Sequence, residues 1–278
     1  MSERIPFESY VTMPGVNWSS LKHINDSPAA YRWHKDNDRP DTTALKMGRY
    51  IHALVFEPDT IERDYAVYTG EGTRSTKEYK AFAAEHPGVT IFKANEVETM
   101  ESAAQAVRAC KDVRPYLDMG GVYEHTLTWT DPETGLPCKC RLDWYIPEAN
   151  ILIDLKSAAS VEMRRWVSSL MRLDYPGQLA HYGNGIKANY GAEPAKVIIV
   201  AVEKSPPFDV LVQPIGDEMR TLAADRVADL MRRLKTCTDT DQWPGRYTEP
   251  MPLDRETSGV PTWIFGGDDD TIIFDSEE

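Results

Sequence analysis

Residues 138–156 read CKCRLDWYI-PEAN-ILIDLK, two apolar-rich runs separated by a short turn. Short runs rich in aliphatic and aromatic residues predict β-strands, here over 138–146 and 150–156. The proline and asparagine between them are typical of turns, so we expect the two strands to pair as a hairpin.

The alternation of side chains along a strand assigns the polar residues of this hairpin to a face. On the first strand, it predicts one face made of Cys138, Cys140, Leu142 and Trp144 and the other made of Lys139, Arg141, Asp143 and Tyr145. On the second strand, the two predicted faces are Ile151, Ile153 and Leu155, and Leu152, Asp154 and Lys156. Asp154 and Lys156 then lie roughly 7 Å apart, and a hairpin can place Asp143 on the same polar face.

Two carboxylates and an ammonium group on one face of a sheet suit the hydrolysis of a phosphodiester. Carboxylate oxygens are the ligands that a hard cation such as Mg²⁺ prefers. The cation can polarise the ester and lower the pKa of a bound water, while Lys156 can orient or deprotonate that water and offset developing charge. An Asp-x-Lys pattern on a strand is also common as a solvated polar face, so both interpretations stay open at this point.

The flanking sequence predicts helices before the hairpin and a mixture of helices and strands around it. Helical patterns occur at 47–56 and 75–85, and Asn95 with Glu98 forms a capping signature for a further helix. Strands are predicted over 122–130, 197–202 and 210–212, and helices over 161–171, 176–190 and 217–234.

This order of elements predicts the α/β class, with a mixed central sheet flanked by helices. We expect a single unit over residues 1–240, made of a helical N-terminal part at 1–118 and a core at 119–236. Residues 241–278 are predicted to be an acidic tail, because Asp268 to Glu278 contains six acidic residues and no basic one.

The net charge of −13 argues against a protein that coats nucleic acid nonspecifically, because phosphate recognition favours basic surfaces. The stretch from Asp268 to Glu278 supplies six of those charges, so a DNA-cleaving enzyme is not excluded. The chain has no long apolar run and no apolar leader, and we therefore expect a cytoplasmic protein without membrane contact. The four cysteines lack metal-ligand spacing and are expected to be free thiols.

Further polar residues lie at separate places in the sequence. His52 follows Gly48 by four residues in a predicted helix, and Glu124 lies in a predicted strand. Gln178 and Tyr182 share one face of a predicted helix because they are four residues apart. Each of these features by itself is more often an ordinary packed or surface residue.

Taken in order with the two aspartates and the lysine of the hairpin, these residues resemble the RecB-like branch of the PD-(D/E)XK nucleases. The resemblance is greatest to the RecE-type exonuclease domain of phages and prophages, a functional relative of λ exonuclease, and it covers about residues 10–235. It implies a restriction-endonuclease-like core. Many relatives carry Glu at the second acidic position, where this chain has the shorter Asp154.

The resemblance also implies a role for each matching residue. Asp143 and Asp154 would bind the catalytic metal with His52, and Lys156 would serve the attacking water. Gln178 and Tyr182 would support the site and contact DNA, whereas Glu124 would either assist the metal site or face solvent. Arg141 and Arg165 are candidate phosphate contacts, although Arg165 also fits a solvated helix face. The implied cofactor is Mg²⁺, with Mn²⁺ as a substitute.

The activity implied by the resemblance is 5′-to-3′ exonuclease action on double-stranded DNA ends, releasing mononucleotides with 5′-phosphates. The resulting 3′ single-stranded overhangs would serve phage-type recombination. A homo-oligomeric ring around the DNA and a single-strand annealing protein as partner are implied with it. Two alternatives stay open: an endonuclease or nuclease of other polarity on the same core, and a noncatalytic module that binds DNA ends.

Overall fold

The computed structural model describes residue 5, residues 7–37 and residues 41–249. The predicted acidic tail at 241–278 lies outside the described residues from position 250 onward. Within the described part of the chain, no helix is both long enough and apolar enough to cross a membrane.

Two sheets are present in the described residues. The smaller one pairs β1 (Tyr65–Tyr68) with β2 (Thr90–Lys93) in parallel. The larger one contains β3 (Val122–Thr130), β4 (Pro137–Ile146), β5 (Ile151–Ala158), β6 (Lys196–Glu203) and β7 (Val210–Pro214). These five strands are neighbours in sequence order, and every pair is antiparallel except β5 with β6. The predicted mixed sheet and its hairpin are therefore confirmed.

Helices flank the larger sheet on both faces, as predicted. Those of the described residues are α1 (Phe7–Thr12), α2 (Trp18–Leu21), α3 (Pro28–Asp36), α4 (Thr43–Phe56), α5 (Ile61–Asp64), α6 (Lys77–Glu85), α7 (Ala94–Ala109), α8 (Arg114–Met119), α9 (Met163–Leu173), α10 (Tyr175–Tyr190) and α11 (Asp217–Thr240). Helices α9 and α10 form the crossover that the parallel pair β5 and β6 requires.

The sheet separates two apolar clusters. On one face α4 and α7 pack against Ile151, Ile153 and Leu155 of β5. On the other face α9 and α10 pack against Leu152 and the neighbouring strands. The predicted alternation along β5 is thus confirmed, and this central strand is buried on both sides.

The predicted alternation along β4 is wrong beyond Asp143. Trp144 packs in the cluster with α4 and α7, whereas Tyr145 packs with Leu142 in the cluster on the other face. The register with β3 is continuous on both sides of this point, but Glu124 and Asp143 are not paired. Glu124, on the neighbouring strand β3, has a φ of +48°. This left-handed conformation reorients the side chains along β3. The irregularity coincides with two predicted site residues.

The predicted cap of α7 is also wrong, by two positions. The carboxylate of Glu96, not of Glu98, reaches back to the backbone nitrogen of Lys93, at 2.8 Å. The helix therefore begins at Ala94, before Asn95. The small sheet of β1 and β2 was not predicted, because each strand has only four residues and lies between helices.

Candidate active site

The strands β4 and β5 separate where the two predicted aspartates lie. Their ladder ends with the pair Trp144 and Ile153, so Asp143 and Asp154 have no ladder partner on the facing strand. Instead, the Oδ2 atom of Asp143 accepts a hydrogen bond from the backbone nitrogen of Leu155, at 3.0 Å. Both carboxylates therefore lie at the point where these two strands stop pairing.

His52 reaches this point from α4. Its Nε2 atom lies 2.8 Å from the carbonyl oxygen of Leu155. A carbonyl can only accept, so Nε2 carries a hydrogen and Nδ1 is the nitrogen left to face the site. Nδ1 lies 3.7 Å from Oε1 of Glu124 and 3.8 Å from Oδ2 of Asp143. One ligand atom from each of these three residues falls within 4.8 Å of the others.

Glu124 enters the same cluster from β3, from the residue with positive φ. A non-glycine residue in this conformation costs about 1–2 kcal/mol, which the surrounding contacts must offset. The Nε atom of Arg141 donates to Oε2 of Glu124 at 2.6 Å, and its Nη1 atom donates to the carbonyl oxygen of Ile5 at 2.7 Å. Burial by itself raises the pKa of Glu124, but His52 and Arg141 outweigh it and lower the pKa to about 2.

Asp154 and Lys156 form an adjoining ion pair. The Nζ atom of Lys156 lies 2.5 Å from Oδ2 of Asp154, whose side chain is fully buried. The same ammonium lies 5.0 Å from the ring centre of Tyr175. Burial lowers the pKa of Lys156, but Asp154 and Asp143 outweigh it and raise the pKa above its usual range. Lys156 is therefore held as a cation.

The donor set fits a bound divalent cation. Among the described residues, the Oδ1 atom of Asp154 is buried without a hydrogen-bond partner, a costly state that a cation would relieve. Burial and the nearby Asp154 raise the pKa of Asp143 to about 7. Burial lowers the pKa of His52, but Asp143 and Glu124 outweigh it and raise the pKa to about 9. Without a cation, protons held by Asp143 and His52 thus balance the negative charge of the cluster.

Gln178 and Tyr182 lie beside these groups on α10. The Nε2 atom of Gln178 donates to the hydroxyl of Tyr182 at 2.8 Å, which confirms that the two residues share a helix face. Burial first, and then the charges of Asp143 and Asp154, raise the pKa of Tyr182 well above its usual value. The phenol therefore remains a neutral hydrogen-bonding group near both carboxylates.

The structure brings together most of the predicted residues, but in a different grouping. His52 and Asp143 cluster with Glu124, whereas Asp154 is paired with Lys156 next to that cluster. The interpretation of Glu124 as a solvent-facing residue is wrong, because its side chain is only 19% exposed and lies in the cluster.

The two predicted phosphate contacts differ in their surroundings. Arg141 is buried, with its guanidinium committed to Glu124 and to the carbonyl of Ile5. Arg165 is exposed on α9, and among the described residues its guanidinium forms no ion pair. Arg141 is thus placed to hold the carboxylate of Glu124, whereas Arg165 is accessible to a ligand.

Two contributors to the site had no signal in the sequence. The carbonyl oxygen of Leu155 orients His52, yet a backbone group carries no residue-specific pattern. Tyr175 contacts Lys156 from the N-terminus of α10, and a lone tyrosine before Pro176 and Gly177 predicts only a helix start.

Comparison with solved structures shows a protein of similar fold. A candidate exonuclease from Eubacterium rectale has a similar structure, with a TM-score of 0.63 and 17% sequence identity, covering 93% of this chain and 100% of that one. At this identity the similarity shows a shared fold. A phage-related exonuclease from Haemophilus somnus 129PT covers 84% of this chain and 99% of its own at 14% identity, but its TM-score of 0.37 supports no inference.

No curated protein matches the chain. Residues 17–251 match the family described as PDDEXK-like domain of unknown function (DUF3799). This match spans most of the chain and includes the hairpin, His52 and α10. The five-stranded mixed sheet flanked by helices is the PD-(D/E)XK nuclease fold. The chain therefore belongs to the PDDEXK-like family and carries a nuclease-like domain of the PD-(D/E)XK superfamily.

Proposed function

We propose that the protein is a Mg²⁺-dependent exonuclease that degrades double-stranded DNA from its ends in the 5′-to-3′ direction. Its products would be mononucleotides with 5′-phosphates and duplexes with 3′ single-stranded overhangs for recombination. The observation that carries this proposal is the cluster of His52, Glu124 and Asp143 beside the Asp154–Lys156 pair, within a PDDEXK-like chain.

We assign the metal-binding role to His52, Asp143 and Asp154, and we add Glu124 because its carboxylate lies in the same cluster. Carboxylate-rich sites suit Mg²⁺, and Mn²⁺ would substitute for it. When bound, the cation supplies Lewis-acid polarisation of the scissile phosphate and lowers the pKa of a coordinated water. Arg141 positions Glu124 through the 2.6 Å hydrogen bond, and so acts through that carboxylate.

Lys156 is proposed to orient the attacking water and to balance charge that develops on the phosphate oxygens. Its raised pKa favours an ammonium, which donates hydrogen bonds, over a free amine that would accept a proton. Asp154 holds this ammonium in place at 2.5 Å. Gln178 and Tyr182 would hold the DNA strand next to the site, and Arg165 would contact a more distant phosphate.

The choice of an exonuclease acting at duplex ends rests on the resemblance to RecE-type domains. Assembly as a homo-oligomeric ring around DNA and partnership with a single-strand annealing protein belong to the same proposal. A fold of this class also serves endonucleases, and substrate topology separates the two activities.

The test is digestion of a linear duplex labelled at either the 5′ or the 3′ end, with and without Mg²⁺, beside a covalently closed circle of the same sequence. We expect early release of the 5′ label as a mononucleotide, later release of the 3′ label, and an intact circle. Cleavage of the closed circle would contradict the exonuclease assignment. Early release of the 3′ label would contradict the polarity.

The matched site variants are Asp154→Asn and Lys156→Ala, with Asp209→Asn as a control on an exposed loop. Removing a metal-site carboxylate or the charge-balancing ammonium should lower the rate by roughly 10³-fold or more. The control should retain the wild-type rate. Unchanged rates in both site variants, with folding retained by circular dichroism, would contradict the assigned site.

A further inference from the structure

Helix α9 presents an apolar stripe to solvent. Met163, Val167 and Met171 are 53%, 42% and 53% exposed, and their four-residue spacing places them along one face. The same helix is anchored by Trp166 and Leu170, which are buried against the sheet. The exposed stripe is therefore additional to the residues that hold α9 in the fold, and it resembles a binding surface.

A basic face adjoins this stripe. Each residue advances about 100° around a helix, so Arg164, Arg165 and Arg172 follow the stripe on the next side. All three are exposed, and none forms an ion pair with another described residue. Three uncommitted guanidinium groups stand out on a chain with a net charge of −13. We name this combined surface, residues 163–172, the α9 face.

The helix that carries the α9 face packs beside the candidate active site. The rings of Trp166 and Tyr175 have centroids 6.0 Å apart, and the ring of Tyr175 lies 5.0 Å from Nζ of Lys156. These contacts are made from the buried side of α9, so the α9 face is on the outer side of a helix that packs against the candidate active site.

The chemistry complementary to the α9 face occurs in the C-terminal segment of this same chain. Residues 261–278 contain two apolar triplets, Trp263-Ile264-Phe265 and Ile272-Ile273-Phe274. Six acidic residues and no basic one accompany the second triplet between positions 268 and 278. Such a segment offers both apolar side chains for the stripe and carboxylates for the guanidinium groups.

Length permits the contact within one chain. The segment from residue 250 to residue 278 can extend over roughly 90 Å. A fold of this size has a radius of gyration of only roughly 19 Å. Any point on the described surface is thus within reach.

We infer that the α9 face binds the acidic, apolar segment 261–278 of its own chain. DNA would contact the arginines but would leave the methionine stripe exposed, whereas this segment covers both parts of the surface. Arg165 is also the proposed phosphate contact, so the bound segment and a DNA strand compete for the same cation. The segment thereby acts as an internal polyanion that competes with DNA for Arg165.

Disulfide trapping in the full-length chain tests this contact. The trapping variant is Val167→Cys with Ile273→Cys, and the matched control is Leu222→Cys with Ile273→Cys, because Leu222 is 59% exposed on α11. A tether alone gives millimolar effective concentration at both sites, so docking should raise the intramolecular yield at position 167 roughly tenfold over the control. Peptide mapping identifies the linked cysteines and separates them from the four native ones.

Equal yields in the two pairs, or links formed only between two chains, would overturn the inference. A second arm reverses charge with Arg164→Glu and Arg172→Glu in the trapping variant. We expect the yield to fall to the control level, and to recover when Asp268→Lys and Asp270→Lys are added. A yield insensitive to these reversals would also overturn it. The assay needs no catalysis, so its outcome is independent of the proposed nuclease activity.

Discussion

Two histidines on opposite faces of the central sheet make the same hydrogen bond but differ in their electrostatic environment. His52 on α4 places Nε2 2.8 Å from the carbonyl of Leu155, and His181 on α10 places Nε2 3.1 Å from the carbonyl of Lys139. Yet the pKa of His52 is raised to about 9, whereas burial lowers the pKa of His181 to about 4.

The difference comes from the neighbouring side chains. His52 faces the carboxylates of Glu124 and Asp143, which favour its charged form. His181 lies among aromatic rings, including Trp129 with a centroid distance of 4.9 Å, and these give no comparable compensation for lost hydration. A buried histidine by itself indicates packing. Converging carboxylates are what make His52 a candidate ligand.

The largest expected effect distinguishes the two histidines by activity. His52→Gln removes the nitrogen that faces the carboxylate cluster and should lower Mg²⁺-dependent digestion of duplex DNA by on the order of 100-fold. His181→Gln should stay within a few-fold of wild type, because His181 lies outside the cluster. Initial rates are compared at a temperature where circular dichroism shows both variants folded. Equal losses of activity in the two variants would contradict a functional role that is specific to His52.

The next effect concerns the pH dependence of stability. His181 is neutral in the folded state, so its contribution is full above pH 6.5 and is lost as the pH falls toward about 4, by at most about 3 kcal/mol. His52 acts in the opposite direction: its contribution is full below pH 6.5 and is lost as the pH rises toward about 9.

Urea unfolding across this pH range, without divalent cation, measures both effects. The stability difference between wild type and His181→Gln should shrink on the acid side, and that for His52→Gln should shrink on the alkaline side. The reverse result would be a stability difference that shrinks on the alkaline side for His181→Gln and on the acid side for His52→Gln. It would show that these environments do not control the titration of the two histidines.

The smallest effect tests the packing around His181. A methyl group on Gly177 of α10 would collide with the ring of Trp18, which neighbours His181 at a centroid distance of 6.4 Å. Gly177→Ala should therefore lower the unfolding free energy by about 1–2 kcal/mol, despite the better helix propensity of alanine.

The matched control for this substitution is Gly183→Ala in the same helix. Its added methyl would meet only Pro194, at an ordinary 3.6 Å, so stability should stay the same or rise by up to about 1 kcal/mol. Thermal unfolding of both variants measures the comparison. A similar loss at both positions would indicate that the helix, not the contact with Trp18, sets the effect.

Local patterns predicted much of the fold. The strands at 122–130 and 138–146 differ from β3 and β4 by at most one residue, and the alternation along β5 is correct. The capping position of α7 was predicted wrongly, because residues 93–98 contain two competing capping signals. The small sheet was missed, because strands of four residues have little periodicity. Nothing in the sequence of β4 marks the reversal of its faces beyond Asp143.

The sequence by itself determined the residue types of the site and the faces of β5 that carry Asp154 and Lys156, because alternation and helical spacing are properties of a single element. Only the tertiary structure decided the partners. It brought Glu124 to His52 and Asp143, and it buried Arg141 against Glu124. These contacts join residues up to 91 positions apart, and they depend on where two strands separate and on one residue with positive φ. Such features arise from packing between elements, which no local pattern encodes.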